Sequence, residues 1–276
     1  MTLTGIIPPL VTPFDAAGRI DEAAYRAEVH YLVEQAGVHG LAVGGSTGEG
    51  HTLAAEETRL LTAWTVEQVR GRVPVITGII TDSTQAAIDR IQAVADLGVA
   101  AVQVTPVHYL FRPDDDAMLR HFAAVAEAGR LPVIIYNVVP WSYLSPPLLA
   151  RILREVDGVI GVKQSGGDMK ALADLLLLLE PAGEKSLRIF SAVDALLYPS
   201  FALGAHGSIA AILTAVPEWC LALWEAVRVG DHRRALEWHK RLLALWNALE
   251  ASNLPANVKA AMELQGRKGG LPRAPM

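Results

Sequence analysis

The sequence predicts an α/β fold, a (β/α)8 TIM barrel with a C-terminal helical extension. Short β-rich apolar segments alternate with amphipathic helical segments roughly eight times along the chain. The 276 residues suffice for one closed barrel, and no linker interrupts the repeats. We therefore expect a single structural unit, with the barrel in residues 1–215 and the extension packed on it in residues 216–276.

The predicted elements follow one another in the alternating order that a parallel barrel requires. The strands are Gly5–Ile7, Gly40–Val43, Val73–Ile80, Ala101–Thr105, Val133–Tyr136, Val159–Lys163, Arg188–Ser191 and Gly207–Ala211. The helices are Asp21–Gln35, Ala55–Val69, Ser83–Leu97, Asp114–Ala128, Pro146–Val156, Asp168–Glu180 and Ala195–Leu203, with a further helical region from Pro217 to about Gln265. Asp168 follows a glycine pair and is predicted to cap its helix.

Composition excludes several classes of protein. The net charge of -5 and the absence of a dense basic stripe argue against nucleic-acid binding. The richest apolar run, Leu175–Leu179, is too short to span a membrane. The single cysteine, Cys220, allows no internal disulfide framework, is expected on a buried helix face, and fits a reducing cytoplasm. No glycine-rich nucleotide fingerprint or phosphate loop is present, which argues against a nucleotide cofactor. The lysine chemistry considered next needs no metal and no organic cofactor.

The most informative residue is Lys163, at the end of the apolar strand that begins at Val159. A buried ammonium costs several kcal/mol unless it is paired or loses its proton, so burial favours the neutral amine. A neutral amine attacks carbonyl carbon, which favours a Schiff-base role for Lys163. The alternative from this residue alone is a side chain that extends past the strand end into solvent.

Other polar residues stand at neighbouring strand ends, which meet at the catalytic face of a barrel. The turn Gly44–Glu49 offers backbone N–H groups and two hydroxyls suited to a carboxylate. Tyr136 ends the strand before Lys163 and could relay protons if its hydroxyl bonds to another hydroxyl, such as that of Thr47. A plain loop and a half-buried packing tyrosine are the alternative interpretations.

Several segments, taken in order, resemble the dihydrodipicolinate synthase and N-acetylneuraminate lyase family of class I aldolases. These segments are Gly5–Phe14, Gly45–Glu49, Val104–Pro106, Tyr136–Asn137, Gly161–Lys163 and Pro255–Ala261. The resemblance implies that Lys163 is the Schiff-base lysine and Tyr136 the proton-relaying tyrosine. It also implies that Ser46 and Thr47 bind the carboxylate of a 2-oxo acid and extend the relay, and that Ile209 contacts bound pyruvate through its backbone.

The resemblance further implies a homo-oligomer, a tetramer built as a dimer of dimers. Tyr109, with His108 as the alternative, corresponds to a tyrosine that relatives contribute across a subunit interface and that takes part in the proton relay. The segment Val107–Pro113 is longer than the usual pattern at this position. Glu49 is expected to support its turn rather than to react.

The chain departs from the family patterns in two places. After Tyr136-Asn137 the synthases carry an arginine that pairs with the carboxylate of the aldehyde substrate, whereas this chain has Trp141, Ser142 and Tyr143. After the seventh strand the sialic-acid lyases present Gly-x-Asp-Glu, whereas this chain has Ala192–Ala195 with Asp194 between them. Both departures concern the second substrate.

We therefore expect a carbon–carbon lyase that forms a lysine Schiff base with pyruvate or a related 2-oxo acid and makes or breaks the adjacent C–C bond with an aldehyde. The alternatives are dihydrodipicolinate synthase activity itself, a sugar-acid dehydratase or hydratase-aldolase, and a non-catalytic barrel that binds 2-oxo acids. A phosphate-binding barrel, based on Ser165–Gly167 at a helix start, is a less favoured alternative.

Overall fold

The computed structural model describes residues 3–180, 187–250 and 252–276. Eight parallel strands form one sheet in the order β1-β8-β7-β6-β5-β4-β3-β2. A parallel bridge between Pro9 and Ala42 links the segment after β1 to β2, and Leu10 N–H donates to the Ala42 carbonyl at 2.8 Å. The sheet is thereby closed, and the predicted TIM barrel is confirmed.

Each strand lies within or close to a predicted one. They are β1 (Gly5–Ile6), β2 (Leu41–Val43), β3 (Val75–Ile79), β4 (Ala101–Val104), β5 (Val133–Asn137), β6 (Val159–Gln164), β7 (Arg188–Ser191) and β8 (Gly207–Ser208). The eighth strand was predicted to reach Ala211. It ends earlier because Ala211 adopts helical angles and leads into a short helix.

The helices surround the sheet and continue beyond it. They are α1 (Glu22–His30), α2 (Ala55–Val69), α3 (Thr84–Gln92), α4 (Asp115–Gly129), α5 (Pro146–Glu155), α6 (Met169–Leu179), α7 (Leu197–Ala202), α8 (Ile212–Ala215), α9 (Pro217–Arg228), α10 (His232–Leu249) and α11 (Leu254–Glu263). The third helix was predicted to reach Leu97. The α-helix ends at Gln92, and the last predicted turn, Ala95–Leu97, is a 3-10 helix.

Capping side chains define the starts of these helices. Asp21, Ser83, Asp114, Asp168, Asp231 and Asn253 each accept a hydrogen bond from a backbone N–H in the first turn of the helix that follows. The cap predicted at Asp168 is therefore confirmed. Its carboxylate accepts from Lys170 N at 2.8 Å and from Ala171 N at 3.2 Å. These donors are occupied, which disfavours the phosphate site considered at this helix start.

The core has two layers separated by the sheet. Inside the barrel, a cluster of eight buried side chains fills the lower part: Leu3, Ile7, Ala42, Ile76, Ala101, Ile134, Phe190 and Ile209. Outside it, the other strand faces pack against the helices. Helices α9 to α11 form a further cluster, in which Cys220 is fully buried as predicted. No helix in the described parts of the chain is long and apolar enough to cross a lipid bilayer.

A β-bulge in β6 sets the direction of Lys163. Val133 pairs with Val159, but the next residue, Ile134, pairs with Gly161, so Ile160 has no register partner on β5. Ile160 packs against the inner cluster, while Val159 belongs to the outer one. After the bulge the alternation resumes with Lys163 opposite Tyr136, whose side chain faces the barrel interior.

Candidate active site

Lys163 lies at the catalytic end of the barrel, buried at 3% exposure. Its Nζ atom stands 3.8 Å from the centre of the Tyr136 ring. Among the described residues, no carboxylate lies within 4.0 Å of this amine. An aromatic ring gives an ammonium only part of the compensation that a carboxylate would give. The predicted proximity of Lys163 and Tyr136 is thus present in the structure.

The hydroxyl of Tyr136 is hydrogen-bonded to the turn after β2. Its oxygen lies 2.9 Å from Ser46 Oγ. A hydroxyl partner was expected, for example that of Thr47, and in the structure the hydroxyl bonded to Tyr136 is that of Ser46. The turn directs Ser46 toward Tyr136, while Thr47 is buried at 7% exposure and makes no hydrogen bond to Tyr136 within the described chain.

The backbone of this turn leaves donors available for an anion. Gly48 N–H and Gly50 N–H both donate to the Gly45 carbonyl at 3.0 Å, and Glu49 N–H donates to the Ser46 carbonyl at 3.0 Å. Within the described chain, the N–H groups of Ser46 and Thr47 are not used in this way. Two free N–H groups beside two hydroxyls form a neutral cradle of the kind that binds a carboxylate.

Close packing explains why the turn is rich in glycine. A Cβ atom at Gly50 would lie 1.9 Å from the Gly44 carbonyl oxygen, and one at Gly78 would lie 2.5 Å from the same oxygen. A Cβ atom at Gly45 would lie 3.0 Å from the Gln103 amide nitrogen. The Gln103 amide is buried inside the barrel and has no hydrogen-bond partner among the described residues. The turn and Gln103 therefore border a polar space.

Ile209 follows β8 and is fully buried. Its N–H donates to the Ser191 carbonyl at 3.0 Å. Any backbone contact from Ile209 to a ligand would therefore use its carbonyl oxygen, which makes the sequence-based expectation more specific.

Asp194, which was not among the predicted site residues, lies near enough to Lys163 for the two charges to interact. It follows β7, and its Oδ1 atom accepts from Ile212 N at 2.7 Å, at the start of α8. Burial raises the pKa of Asp194 from 3.8 to about 7, while the nearby charge of Lys163 acts in the opposite direction. The residue was noted only as a departure from a family pattern. Its position just after the seventh strand, where barrel site residues lie, was the feature of the sequence that could have identified it.

The outer rim of the site joins three loops. Trp141 Nε1 donates to the carbonyls of His108 at 2.7 Å and Tyr109 at 3.1 Å. His108 Nε2 lies 3.0 Å from an Asp82 carboxylate oxygen. These residues, with Leu110, line a cavity of about 510 Å³. Tyr109 itself is 65% exposed and makes no hydrogen bond to Tyr136 or Ser46 within the described chain.

The loop after β5 contains no arginine and has three differently placed side chains. Trp141 is exposed at the rim, whereas Ser142 is buried and donates to the Val107 carbonyl at 2.7 Å. Tyr143 turns inward: its hydroxyl oxygen is buried, and a Cβ atom at Gly166 would lie 2.6 Å from it. Burial raises the pKa of Tyr143. The region thus presents aromatic surface rather than a cation.

No group of three or more metal-ligating side chains occurs in the described residues.

The fold and the site define a class of protein, a barrel-type carbon–carbon lyase of the class I, Schiff-base-forming aldolases. The profile of the dihydrodipicolinate synthetase family matches residues 2–276. The chain belongs to this family.

Individual relatives agree with this assignment. A 4-hydroxy-tetrahydrodipicolinate synthase from Methanopyrus kandleri is 36% identical over 277 aligned residues, covering 99% of this chain and 90% of the relative. Among solved structures, a dihydrodipicolinate synthase from Bacillus anthracis has a TM-score of 0.92 at 31% identity, covering 100% of this chain and 93% of the other. YagE, a prophage protein of the same family from E. coli in complex with pyruvate, has a TM-score of 0.92 at 28% identity, with the same coverage.

Proposed function

We propose that Lys163 forms an imine with pyruvate and that the enzyme joins the resulting enamine to an aldehyde, or runs the reverse cleavage. The observation that carries the proposal is the buried Lys163 amine, 3.8 Å from the ring of a tyrosine whose hydroxyl bonds to Ser46 at 2.9 Å. A nucleophile beside a positioned proton carrier is what imine formation requires.

The chemical steps follow from this arrangement. The Lys163 amine, once it has given up its extra proton, attacks the ketone carbon of pyruvate, and transfer of an amine proton to the oxygen gives a carbinolamine. Tyr136 gives a proton to the carbinolamine oxygen, which leaves as water, and the Ser46 hydroxyl stabilises the resulting phenolate by donating a hydrogen bond to it. The protonated imine withdraws electrons, so the Tyr136 phenolate takes a proton from the pyruvate methyl group, and the imine becomes an enamine. The enamine carbon then attacks the aldehyde carbonyl, and Tyr136 protonates the alkoxide that forms. Addition of water to the imine releases the product and the Lys163 amine, and the proton set free returns to Tyr136.

The cradle at Ser46 and Thr47 is proposed to hold the pyruvate carboxylate. Its two N–H groups and two hydroxyls supply donors without a formal positive charge. The Ile209 carbonyl would contact the bound 2-oxo acid from the opposite strand. The unpaired Gln103 amide beside the turn supports a polar ligand in this space. The pyruvate complex reported for YagE also supports this choice of substrate.

The second substrate is proposed to be a neutral or aromatic aldehyde. A guanidinium in the loop after β5 would add a charge-assisted contact to an anionic aldehyde, of about 1.5 to 3 kcal/mol. Here Trp141 and Tyr143 offer rings instead, and Ser142 is committed to the Val107 carbonyl. The second candidate is 4-hydroxy-tetrahydrodipicolinate synthesis from pyruvate and aspartate semialdehyde, which the names of the 36%-identical relatives favour.

A cytoplasmic homotetramer, built as a dimer of dimers, completes the proposal. Tyr109, Leu110 and Phe111 are 65%, 73% and 81% exposed, which is unfavourable for an isolated surface and suits an interface between copies. In such an interface Tyr109 of one copy could reach the relay of another. The single buried cysteine fits a reducing compartment. Light scattering at assay concentration measures the assembly, and a fully active monomer would remove Tyr109 from the relay.

Borohydride reduction in the presence of pyruvate tests the nucleophile. The expected result is a stable adduct that peptide mapping places on Lys163 and that Lys163→Ala abolishes. Lys170→Ala is the matched control, because Lys170 is an exposed lysine paired with Asp174 on the outside of the barrel. An adduct on another lysine, or one that persists in Lys163→Ala, would refute the assignment.

A further inference from the structure

We propose that Glu49 and Lys259 are positioning residues, which hold Ser46 in place for proton transfer by tying the turn after β2 to the C-terminal extension. We call the contact among Glu49, Lys259 and the Arg273 backbone the Glu49 clamp. The inference rests on the proposed function, because it assumes that Ser46 serves Tyr136 in the relay. Neither positioning residue is proposed to touch the substrate.

Both oxygens of Glu49 are bound by the C-terminal segment. Lys259 Nζ, on α11, donates to Glu49 Oε1 at 2.5 Å, and Arg273 N–H donates to Glu49 Oε2 at 2.8 Å. Lys259 Nζ also donates to the Leu271 carbonyl at 2.8 Å and lies 4.9 Å from the centre of the Phe14 ring. The side chains of Lys259 and Glu49 are 2% and 0% exposed. The ion pair is therefore buried and satisfied.

The backbone of Glu49 explains why this contact bears on the active site. Its φ is 55°, in the left-handed region that residues with a side chain rarely adopt. In this conformation Glu49 N–H donates to the Ser46 carbonyl at 3.0 Å. The proposed clamp therefore acts on a residue in an uncommon backbone conformation, which is bonded directly to Ser46, whose hydroxyl reaches Tyr136.

The C-terminal segment is anchored independently of Glu49. The Arg273 guanidinium donates to both carboxylate oxygens of Glu57 at 2.7 and 2.8 Å and to the Gly18 carbonyl at 2.7 Å. Removing the Glu49 carboxylate therefore leaves the segment docked and changes mainly the turn. Because the segment stays docked, a change in turnover in a Glu49 variant reports on the turn that contains Ser46 rather than on loss of the C-terminal segment.

Three variants separate positioning from simple stability: Glu49→Gln, Lys259→Met and the double variant. Breaking a buried ion pair by removing one partner is strongly destabilising, whereas removing both charges is much better tolerated. We expect each single variant to lower the melting temperature and the double variant to recover most of it. Turnover should stay at least about tenfold below wild type in all three, with KM for pyruvate changed less than about threefold.

The matched control is Glu28→Gln. Glu28, on α1, is buried and pairs with Arg267 at 2.8 Å, another contact between the barrel and the C-terminal extension, and it does not touch the turn. This variant should lose stability and keep its turnover.

Trapping by borohydride at Lys163 should persist in the double variant, because the clamp acts on proton transfer rather than on the amine.

Each outcome decides the matter. A double variant that recovers both melting temperature and turnover would show that the pair serves stability alone and would overturn the inference. A wild-type protein that gives no adduct at Lys163 would overturn the proposed function, and the clamp with it. A wild type that traps pyruvate, beside a double variant with unchanged turnover, would overturn the clamp only.

Discussion

Replacing Asp194 by asparagine should make folding stability less dependent on pH. The Asp194 carboxylate accepts from Ile212 N at 2.7 Å, and burial raises its pKa from the ordinary 3.8 to about 7. Asparagine keeps an oxygen acceptor for this N–H group but does not titrate. The charge of Lys163 lowers the pKa of Asp194. Asp194 in turn helps to raise the pKa of the fully buried Cys220 thiol.

The sign follows from proton binding in the two states. Between about pH 4 and pH 7 the folded protein keeps the Asp194 proton and the unfolded chain releases it, so stability falls as the pH rises through this window. If the whole pKa shift acts, the free energy of unfolding of wild type falls by about 3 kcal/mol between pH 5 and pH 8.5. Because Asp194 is only half-buried, solvent screening reduces the expected cost to about 1–3 kcal/mol.

Urea unfolding of both proteins from about pH 5 to pH 8.5 measures this effect. The free energy of unfolding of Asp194→Asn, minus that of wild type, should increase across the range. Burial also raises the pKa of Glu28 to about 7, but Glu28 is present in both proteins and cancels in the difference. A difference that stays constant with pH would show that Asp194 ionises in the folded state near its ordinary value.

The remaining predictions concern the relay, the turn and the substrate. Tyr136→Phe should lower turnover by about 10- to 10,000-fold in a folded protein, the range for one positioned proton carrier; unchanged turnover would assign the proton to another group. Gly50→Ala should unfold or strongly destabilise the chain in thermal denaturation, because its Cβ would lie 1.9 Å from the Gly44 carbonyl oxygen; a melting temperature equal to wild type would contradict this geometry. In assays with pyruvate, aspartate semialdehyde should react less efficiently than neutral or aromatic aldehydes. A kcat/KM for the semialdehyde of about 10,000 per molar per second or more, above that of every other aldehyde, would restore the synthase function.

The alternation of patterns was sufficient to predict the barrel and the neighbours Tyr136 and Lys163. Parallel strands bring their carboxyl ends to one edge, so residues that end successive strands must lie close together. The end of the eighth strand was not predictable in this way. The apolar residues from Ile209 to Ala211 fit a strand or a buried helix equally well, and the chain turns into α8 at Ile212.

Details of the site depend on contacts that no local pattern contains. Tyr136 is bonded to Ser46, and three residues after Ser46 the turn contains Glu49 in a left-handed conformation, which no local pattern predicts. That conformation in turn involves Lys259, which is 210 positions away in the sequence. Glu49 was predicted to support its turn, with no partner named, and its partners in the structure are Lys259 and the Arg273 N–H group.

The bulge at Ile160 has a consequence for engineering by insertion and deletion. Because side chains alternate along a strand, one residue added or removed between Val159 and Lys163 would turn the lysine toward the helices. Beyond Asn137 the chain has left the sheet, and a change of length there moves a loop and leaves Tyr136 in place. Loops of different length could therefore be exchanged after Asn137 to alter the aldehyde pocket, whereas the length of β6 must be kept.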